Sequence, residues 1–422
     1  MSKPTGLTPK RTIPKSTTEK RRTMGKLAMV AIIGLLLVTT LTGCTPKAPH
    51  EQWVAAMKKV NDLDYQEYVA TISFDIQSDN LEKQEFYQIF NQITFELNLK
   101  LDKEDHRFLF DFDLLYKGVN CGNLTLYCDL EKITAQSLFL GPKTFYFEWK
   151  DLQPLIEKYL GIQFQITDYF PLLLETDEEL WKQVELAIYD FYAEFYQDKI
   201  SAGDKQVKLA VIENNAEKTI TCKELIMQLD NDDLSPEEIN RLLQGLFANP
   251  AVRNLIKDKI TQFITIAKNN GDLATWPISE EELIAFRDSV DDKIEQWLTW
   301  MSALIAQAES TASPTSVKEV TSKSTIRIDQ KGLWRNMSTE QAMNFTDPYT
   351  GEVIQSTMWM EQNLINPGQK PVFPDFSPVG AVNLGQTSDE EWETLGNEIY
   401  LNLFAQVMVN PLFQDFIQLS TE

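Results

Sequence analysis

The chain has 422 residues, of which 43% are hydrophobic and 11% aromatic. This composition excludes an intrinsically disordered protein and is sufficient for a large core, in one large domain or two interlocked domains. The 39 Lys and Arg residues stand against 62 Asp and Glu, a formal net charge of −23. Like-charge repulsion therefore excludes nucleic acid and anionic lipid headgroups as natural partners.

The first 43 residues are typical of a secretory signal peptide. Residues 1–26 are polar and basic, and residues 27–41 are apolar and uncharged. The sequence Leu41-Thr42-Gly43-Cys44 then resembles the lipobox of bacterial lipoproteins. That resemblance implies cleavage before Cys44 and diacylation of its thiol. We therefore expect Cys44 to be the lipidated first residue of the mature protein. Residues 44–50 would form a flexible tether that holds the domain at the extracytoplasmic face of the cell membrane.

The same segment allows a second interpretation, an uncleaved transmembrane helix. Residues 27–46 carry no charge, and this length is about what spans a bilayer. Both interpretations place the bulk of the chain outside the cytoplasm, because basic flanks stay inside. A complete signal peptide also begins at Met24, and we expect translation to start there.

Cleavage makes the chain more acidic and leaves an odd number of free thiols. Without residues 1–43 the chain keeps 31 basic and 61 acidic residues, a net charge of −30, which favours solubility above a negatively charged membrane. Besides Cys44, the chain contains Cys121, Cys128 and Cys222. Cys121 and Cys128 would lie about 23 Å apart on one continuous strand, which is too far for a disulfide. We predict that folding requires no disulfide.

The N-terminal part of the mature chain has the pattern of a sheet. Residues 51–61 predict a short amphipathic helix. Strict alternation of apolar and polar residues follows, and a strand with one polar face is typical of an antiparallel sheet. The predicted strands lie near residues 68–76, 93–101, 108–116, 124–130 and 145–149.

From about residue 151 the hydrophobic period changes to that of helices. Four helix starts carry a Ser or Thr followed by Glu three residues later, the pattern of a capping box: Thr176, Ser235, Ser279 and Ser388. Asn249-Pro250 is predicted to split the helix that begins at Ser235. Strands return near residues 207–211 and 219–229.

Strands and helices also close the chain. After a linker at residues 308–315, strands are predicted at 316–328, 332–345 and 352–364, and helices at 388–419 with a break near Asn410-Pro411. Strand blocks separated by helical blocks indicate an α+β fold. We predict one large domain, residues 51–422, with a curved, mostly antiparallel sheet (an incomplete barrel) and helices packed on its concave face. Strands from both ends of the chain would join this sheet.

This layout resembles that of the LolA/LppX-like bacterial lipoproteins and lipoprotein carriers. The similar features are the short helix before alternating strands, the hairpin-like block at 124–137, and Asn366-Pro367-Gly368 in an extended crossing before Ser388. The resemblance implies a strongly bent, incomplete β-barrel that binds lipid or acyl chains between sheet and helices. The long helical middle, residues 235–308, departs from that family.

The residues of most catalytic and metal sites are missing from the sequence. Of two histidines, His50 lies in the predicted tether and His106 in a charged turn. No zinc-ligand spacing, nucleophile elbow, phosphate loop or dinucleotide fingerprint occurs. The acidic run at residues 230–233 resembles the start of a calcium loop, but the twelfth position holds Arg241 instead of Glu. We predict no catalytic residue, metal or cofactor, and a hydrolase is the least favoured function.

Aromatic residues that alternate along the predicted strands are the remaining candidate site. The candidate lining residues are Phe74, Phe95, Phe108, Phe110, Phe112 and Phe145. They are either ordinary core beneath helices or the lining of a site for an apolar ligand. The second interpretation favours a membrane-anchored lipoprotein that binds or carries a lipid or other amphiphile. The alternative is a non-catalytic envelope protein whose helices dock to a protein partner.

Overall fold

The structure, a computed structural model, describes residues 48–233, 235–311, 317–346, 351–376 and 380–421. The predicted signal peptide, the Met24 start and the lipidation site at Cys44 lie outside the described residues. All described residues belong to one compact unit.

A single open sheet of thirteen strands organises the described part of the chain. Its strands are β1 Tyr65–Ser78, β2 Ile93–Asp102, β3 Arg107–Tyr116, β4 Val119–Cys128, β5 Lys132–Ser137, β6 Gly141–Glu148, β7 Ile200–Ala202, β8 Val207–Glu213, β9 Ala216–Leu229, β10 Val317–Asp329, β11 Trp334–Thr346, β12 Val353–Ile365 and β13 Val382–Asn383. Across the sheet the order is β13-β6-β5-β4-β3-β2-β1-β12-β11-β10-β9-β7, with β8 paired to β9. Every pairing is antiparallel except that of β13 with β6. The predicted α+β class with a mostly antiparallel, unclosed sheet is confirmed.

Eleven α-helices accompany the sheet within the described residues. They are α1 Pro49–Asn61, α2 Leu81–Phe90, α3 Leu152–Leu160, α4 Pro171–Leu174, α5 Glu178–Phe195, α6 Pro236–Ala248, α7 Pro250–Asn270, α8 Glu280–Asp288, α9 Val290–Thr311, α10 Asp389–Val409 and α11 Pro411–Thr421. The predicted breaks at Asn249-Pro250 and Asn410-Pro411 both separate two helices. In each case the Asn is the residue between the two helices and the Pro opens the second one, where a missing backbone N–H costs nothing.

Strands from the two ends of the chain meet in the middle of the sheet, as predicted. β1 pairs on one side with β2, where Ile72 faces Phe95, and on the other with β12, where Ile72 faces Met360. Strands β10, β11 and β12 are therefore part of the same sheet as the N-terminal strands.

Two predicted element boundaries are wrong, and one helix was missed. His50 lies inside α1 and not in a tether, because the helix already begins at Pro49 and the Glu51 carboxylate accepts the N–H of Ala48 at 2.9 Å. Trp149 lies in a 3-10 turn after β6, where its indole N–H donates to the Asp129 carbonyl at 2.8 Å. Helix α2 was not predicted, since no Ser or Thr cap precedes it and only ten residues carry its pattern.

The helix caps follow the prediction at three of four positions. Ser279 and Ser388 form complete capping boxes, and the Ser235 hydroxyl accepts the N–H of Glu238. Thr176 does not cap α5. The side chain of Asp177 accepts the N–H of Leu180 at 2.8 Å instead, because the helix begins one residue later than predicted.

Asp177→Ala is expected to lower the free energy of unfolding by about 1 kcal/mol, because α5 loses the acceptor of a free N–H group. Thr176→Ala, one residue away, should change it by less than about 0.5 kcal/mol. Urea unfolding followed by circular dichroism measures both. Equal losses for the two variants would contradict Asp177 as the cap.

The alternation predicts that the polar face of the sheet is exposed to water. In the structure, part of that face is covered. Leu109 of β3 and Tyr127 of β4 lie on that face and are buried with Phe376. The Tyr127 ring lies 5.8 Å from the ring of Phe373 and 5.2 Å from that of Phe376. The segment after β12 therefore crosses back over this face of the sheet and covers part of it.

The three cysteines among the described residues are free. Cys121 and Cys128 both belong to β4 and are seven positions apart in that strand. Cys222 is buried on β9. That folding requires no disulfide stays a prediction.

Candidate apolar binding face

The register of the strands places five of the six predicted lining residues on one part of the sheet. In β3, Phe110 faces Leu99 of β2 and Leu126 of β4. Two residues further along β3, Phe112 likewise faces one apolar residue of β2 and one of β4. We call this side of the sheet the inner face. Phe74, Phe95, Phe108, Phe110 and Phe112 all lie on it, on the neighbouring strands β1, β2 and β3.

Four of these rings form a continuous row. The ring centroids of Phe74 and Phe95 are 5.8 Å apart, those of Phe95 and Phe112 5.4 Å, and those of Phe112 and Phe110 6.5 Å. Such spacings are those of favourable aromatic pairs. Phe108 lies at the start of β3, opposite Leu101 and Cys128. The row crosses three strands and gives the inner face a continuous aromatic surface.

The sixth predicted residue has a different environment. Phe145 belongs to β6, three strands from β3, where it faces Ala135 of β5. Its side chain is buried, whereas the five other phenylalanines are only half-buried. Phe145 therefore packs as a core residue and does not line the aromatic surface.

The five phenylalanines have a larger exposed fraction than other residues on the same face. Leu364 of β12 has 0% exposure and Tyr116 of β3 has 1%. A packed core leaves side chains of this kind almost no accessible surface. The aromatic row is thus sheltered, yet a part of it stays accessible.

Helices pack on the inner face on two sides of this row. On one side the Trp334 ring stacks on Tyr68 at 5.5 Å and meets Trp53 of α1 at 6.5 Å. This confirms that a helix covers the apolar face there. The row lies directly beside this covered region, because Tyr68 and Phe74 share one strand.

On the other side α2 and α11 close the inner face. Phe90 of α2 and Phe416 of α11 have ring centroids 5.6 Å apart, and both pack with Phe95 around a core cluster that includes Tyr116. The Tyr116 hydroxyl donates to the Asp415 carboxylate at 2.6 Å, which fixes α11 to the sheet. The row therefore lies between two helix-covered regions.

Methionines and glutamines of the C-terminal strands extend the inner face beyond the predicted residues. Met358 of β12 faces Phe74, and Gln362 of the same strand faces Ala70. On β11, Gln341 faces Met358. Sequence reasoning missed these residues because the strand partners were not known. The alternation of Met358, Met360 and Gln362 was the available signal.

The inner face is electrically neutral over five strands. No side chain that β1, β2, β3, β4 or β12 directs to it is charged, since the described acids and lysines of these strands point to the other side. Burial, and then the nearby Asp129, raise the pKa of the Cys128 thiol, and burial raises the pKa of the Tyr68 hydroxyl. Both groups are therefore uncharged at neutral pH.

Three further observations concern other kinds of site in the described chain. A cavity of about 240 Å³ lies at the end of the β5–β6 hairpin and is partly polar. It is lined by Asn123, Gln136, Ser137, Leu138, Gly141, Pro142 and Lys143. In the described ranges, no three His, Cys, Asp or Glu side chains are grouped so that they could hold a metal ion. None of the described helices combines the length and apolarity that crossing a bilayer requires.

Comparison with known proteins gives few matches. No protein family and no curated protein matches the chain. Among solved structures it is similar to the crystal structure of a beta-barrel-like protein of a domain of unknown function, DUF1849, from Brucella abortus, with a TM-score of 0.16 and 8% sequence identity. The match covers 72% of this chain and 98% of that one. A similarity at this TM-score carries no argument about fold or function.

Proposed function

We propose that the chain is an extracytoplasmic lipoprotein, anchored through a lipid on Cys44, that binds the apolar part of a lipid or other amphiphile on its inner face. The observation that carries the proposal is the half-burial of a continuous aromatic row, which a packed core would bury completely.

A ligand on this row would gain free energy from the apolar surface that it covers. Removal of apolar surface from water contributes about 25 cal/mol per Å². The aromatic rings supply a stiff surface, and Met358 beside Phe74 supplies an adaptable one. An acyl chain is flexible and uncharged, so it can follow both parts of the surface.

One observation favours the alternative function, docking to a protein partner. In α10, Tyr400, Leu401, Phe404 and Met408 are each more than half exposed. Exposed apolar patches on soluble proteins often mark interaction sites. This helix packs on the β6 side of the sheet, away from the aromatic row, so the two functions can be tested separately.

Phe110→Ala is expected to weaken the binding of a pyrene-labelled monoacylglycerol at least about tenfold, because a large part of the contact surface is removed. The matched control is Trp359→Ala, which removes an exposed aromatic ring from the opposite face of β12. The control should bind like the parent. Absence of binding by the parent, or an equal loss in the control, would reject the proposed site.

The anchor has its own test. Cys44→Ala should abolish lipid labelling of the protein and release it from the membrane, or leave it as the uncleaved precursor. Labelling with a radioactive fatty acid, followed by fractionation, measures this. Lipid labelling and processing identical to the parent would exclude Cys44 as the anchor.

A further inference from the structure

Two amide side chains on the inner face have no partner within the described chain. Gln341 of β11 and Gln362 of β12 are half-buried, and neither side chain donates or accepts a hydrogen bond among the described residues. The hydroxyls of Ser324 and Thr339, which share this face of the sheet, satisfy each other at 2.8 Å and are buried. The two glutamines thus differ from this hydroxyl pair, because their amides remain available to a ligand.

We infer that the inner face binds an amphiphile with an uncharged headgroup, and that the amides of Gln341 and Gln362 hydrogen-bond to it. This inference rests on the proposed function. An amide offers a donor and an acceptor together, which matches the hydroxyl and ester groups of an acylglycerol or a glycolipid.

The neutral surface argues against a charged headgroup. An ionised carboxylate, sulfonate or phosphate that leaves water for this face would lose its hydration without gaining a counter-ion, and such a transfer is unfavourable. The remainder of the chain adds to this effect, because a net charge of −30 after cleavage at Cys44 repels anions.

Three lysines at the borders of the inner face are already engaged. Lys117 at the end of β3 pairs with Asp415 of α11 at 2.7 Å, and Lys143 of β6 pairs with Glu398 of α10. Lys223 of β9 donates to Gln52 of α1, far across the sheet from the aromatic row. None of these three ammonium groups is positioned as a counter-ion for a ligand on the row.

The test compares two pyrene-labelled probes with the same chain length, a neutral monoacylglycerol and an alkylsulfonate that stays charged at every pH used. The parent protein should bind the monoacylglycerol at least about tenfold more tightly. Gln341→Leu and Gln362→Leu should each weaken monoacylglycerol binding about fivefold, the value of one ordinary hydrogen bond, and leave alkylsulfonate binding unchanged. Using two variants keeps the test valid if one of them folds poorly.

The control variant is Gln355→Leu, which makes the same change on the opposite, exposed face of β12. It should bind both probes like the parent. Equal affinity of the parent for the two probes, or full monoacylglycerol affinity in both glutamine variants, would overturn the headgroup assignment and leave the proposed function intact. Failure of the parent to bind either probe would overturn both.

Discussion

Asp329→Ala is expected to lower the free energy of unfolding by about 3–5 kcal/mol, because it leaves the buried Arg335 without its ionic partner. Arg335 is only 1% exposed, and its Nη1 atom lies 3.2 Å from Oδ2 of Asp329. Its Nε and Nη2 atoms have no hydrogen-bond partner among the described residues. Among the described residues, Asp329 is the one carboxylate that forms an ion pair with this guanidinium.

Two further variants separate the charge from the turn that Asp329 also supports. Its Oδ1 atom accepts the N–H groups of Lys331 and Leu333, at 2.8 and 3.0 Å, so Asp329→Asn keeps these hydrogen bonds and removes only the charge. Combining Asp329→Asn with Arg335→Met should recover most of the loss, since an apolar pair is often as stable as a buried ion pair. Chemical unfolding measures all three. An Asp329→Asn protein as stable as the parent would show that the ion pair has no such role.

Leu364→Ala should cost about 2–5 kcal/mol of stability, the range for a leucine removed from a rigid core. Leu364 is completely buried beside Tyr68, its cross-strand partner, in the helix-covered region of the inner face. Phe110→Ala removes more atoms, yet we expect it to cost less than about 2 kcal/mol, because part of that ring is already in contact with water.

The comparison tests whether the aromatic row is an accessible surface or an ordinary core. Both variants change residues of the same face, so a difference between them reports on local burial. Urea unfolding at constant pH measures the two losses. A Phe110→Ala loss as large as that of Leu364→Ala would mean that the row is packed core, and would remove the physical basis of the binding proposal.

The strands that carry the candidate site could be predicted because their hydrophobic period is nearly perfect. Phe108, Phe110 and Phe112 alternate with mostly polar residues, and a period of two over this length is characteristic of a strand with one buried face. The positions of the C-terminal strands along the chain were predictable for the same reason. What alternation cannot supply is the identity of the partner strand, and for that reason Gln341 and Gln362 were not recognised as neighbours of the aromatic row.

The remaining differences arise where contacts distant in sequence decide the outcome. Leu109 and Tyr127 alternate as if they faced water, but a segment some 250 residues later covers them. Capping at Asp177 instead of Thr176 is a choice between adjacent residues that can both accept a helix N–H, and it is decided by the exact start of α5. No sequence pattern announces the burial of Arg335, because a charged residue in a strand is ordinarily expected at the surface.

The position of β1 between β2 and β12 has a consequence for the order of folding. Its partner β2 follows within a few dozen residues. Its other partner, β12, is synthesised only after most of the chain, so Ile72 pairs late with Met360. At a synthesis rate of about 5–20 residues per second, that edge of β1 waits roughly 15–55 s for its partner. Contacts of such sequence separation slow folding, and an unpaired strand edge invites association with other chains. Completion of β12 is therefore expected to be the late, rate-limiting event, and chains that stop before residue 353 should aggregate through the open edge of β1.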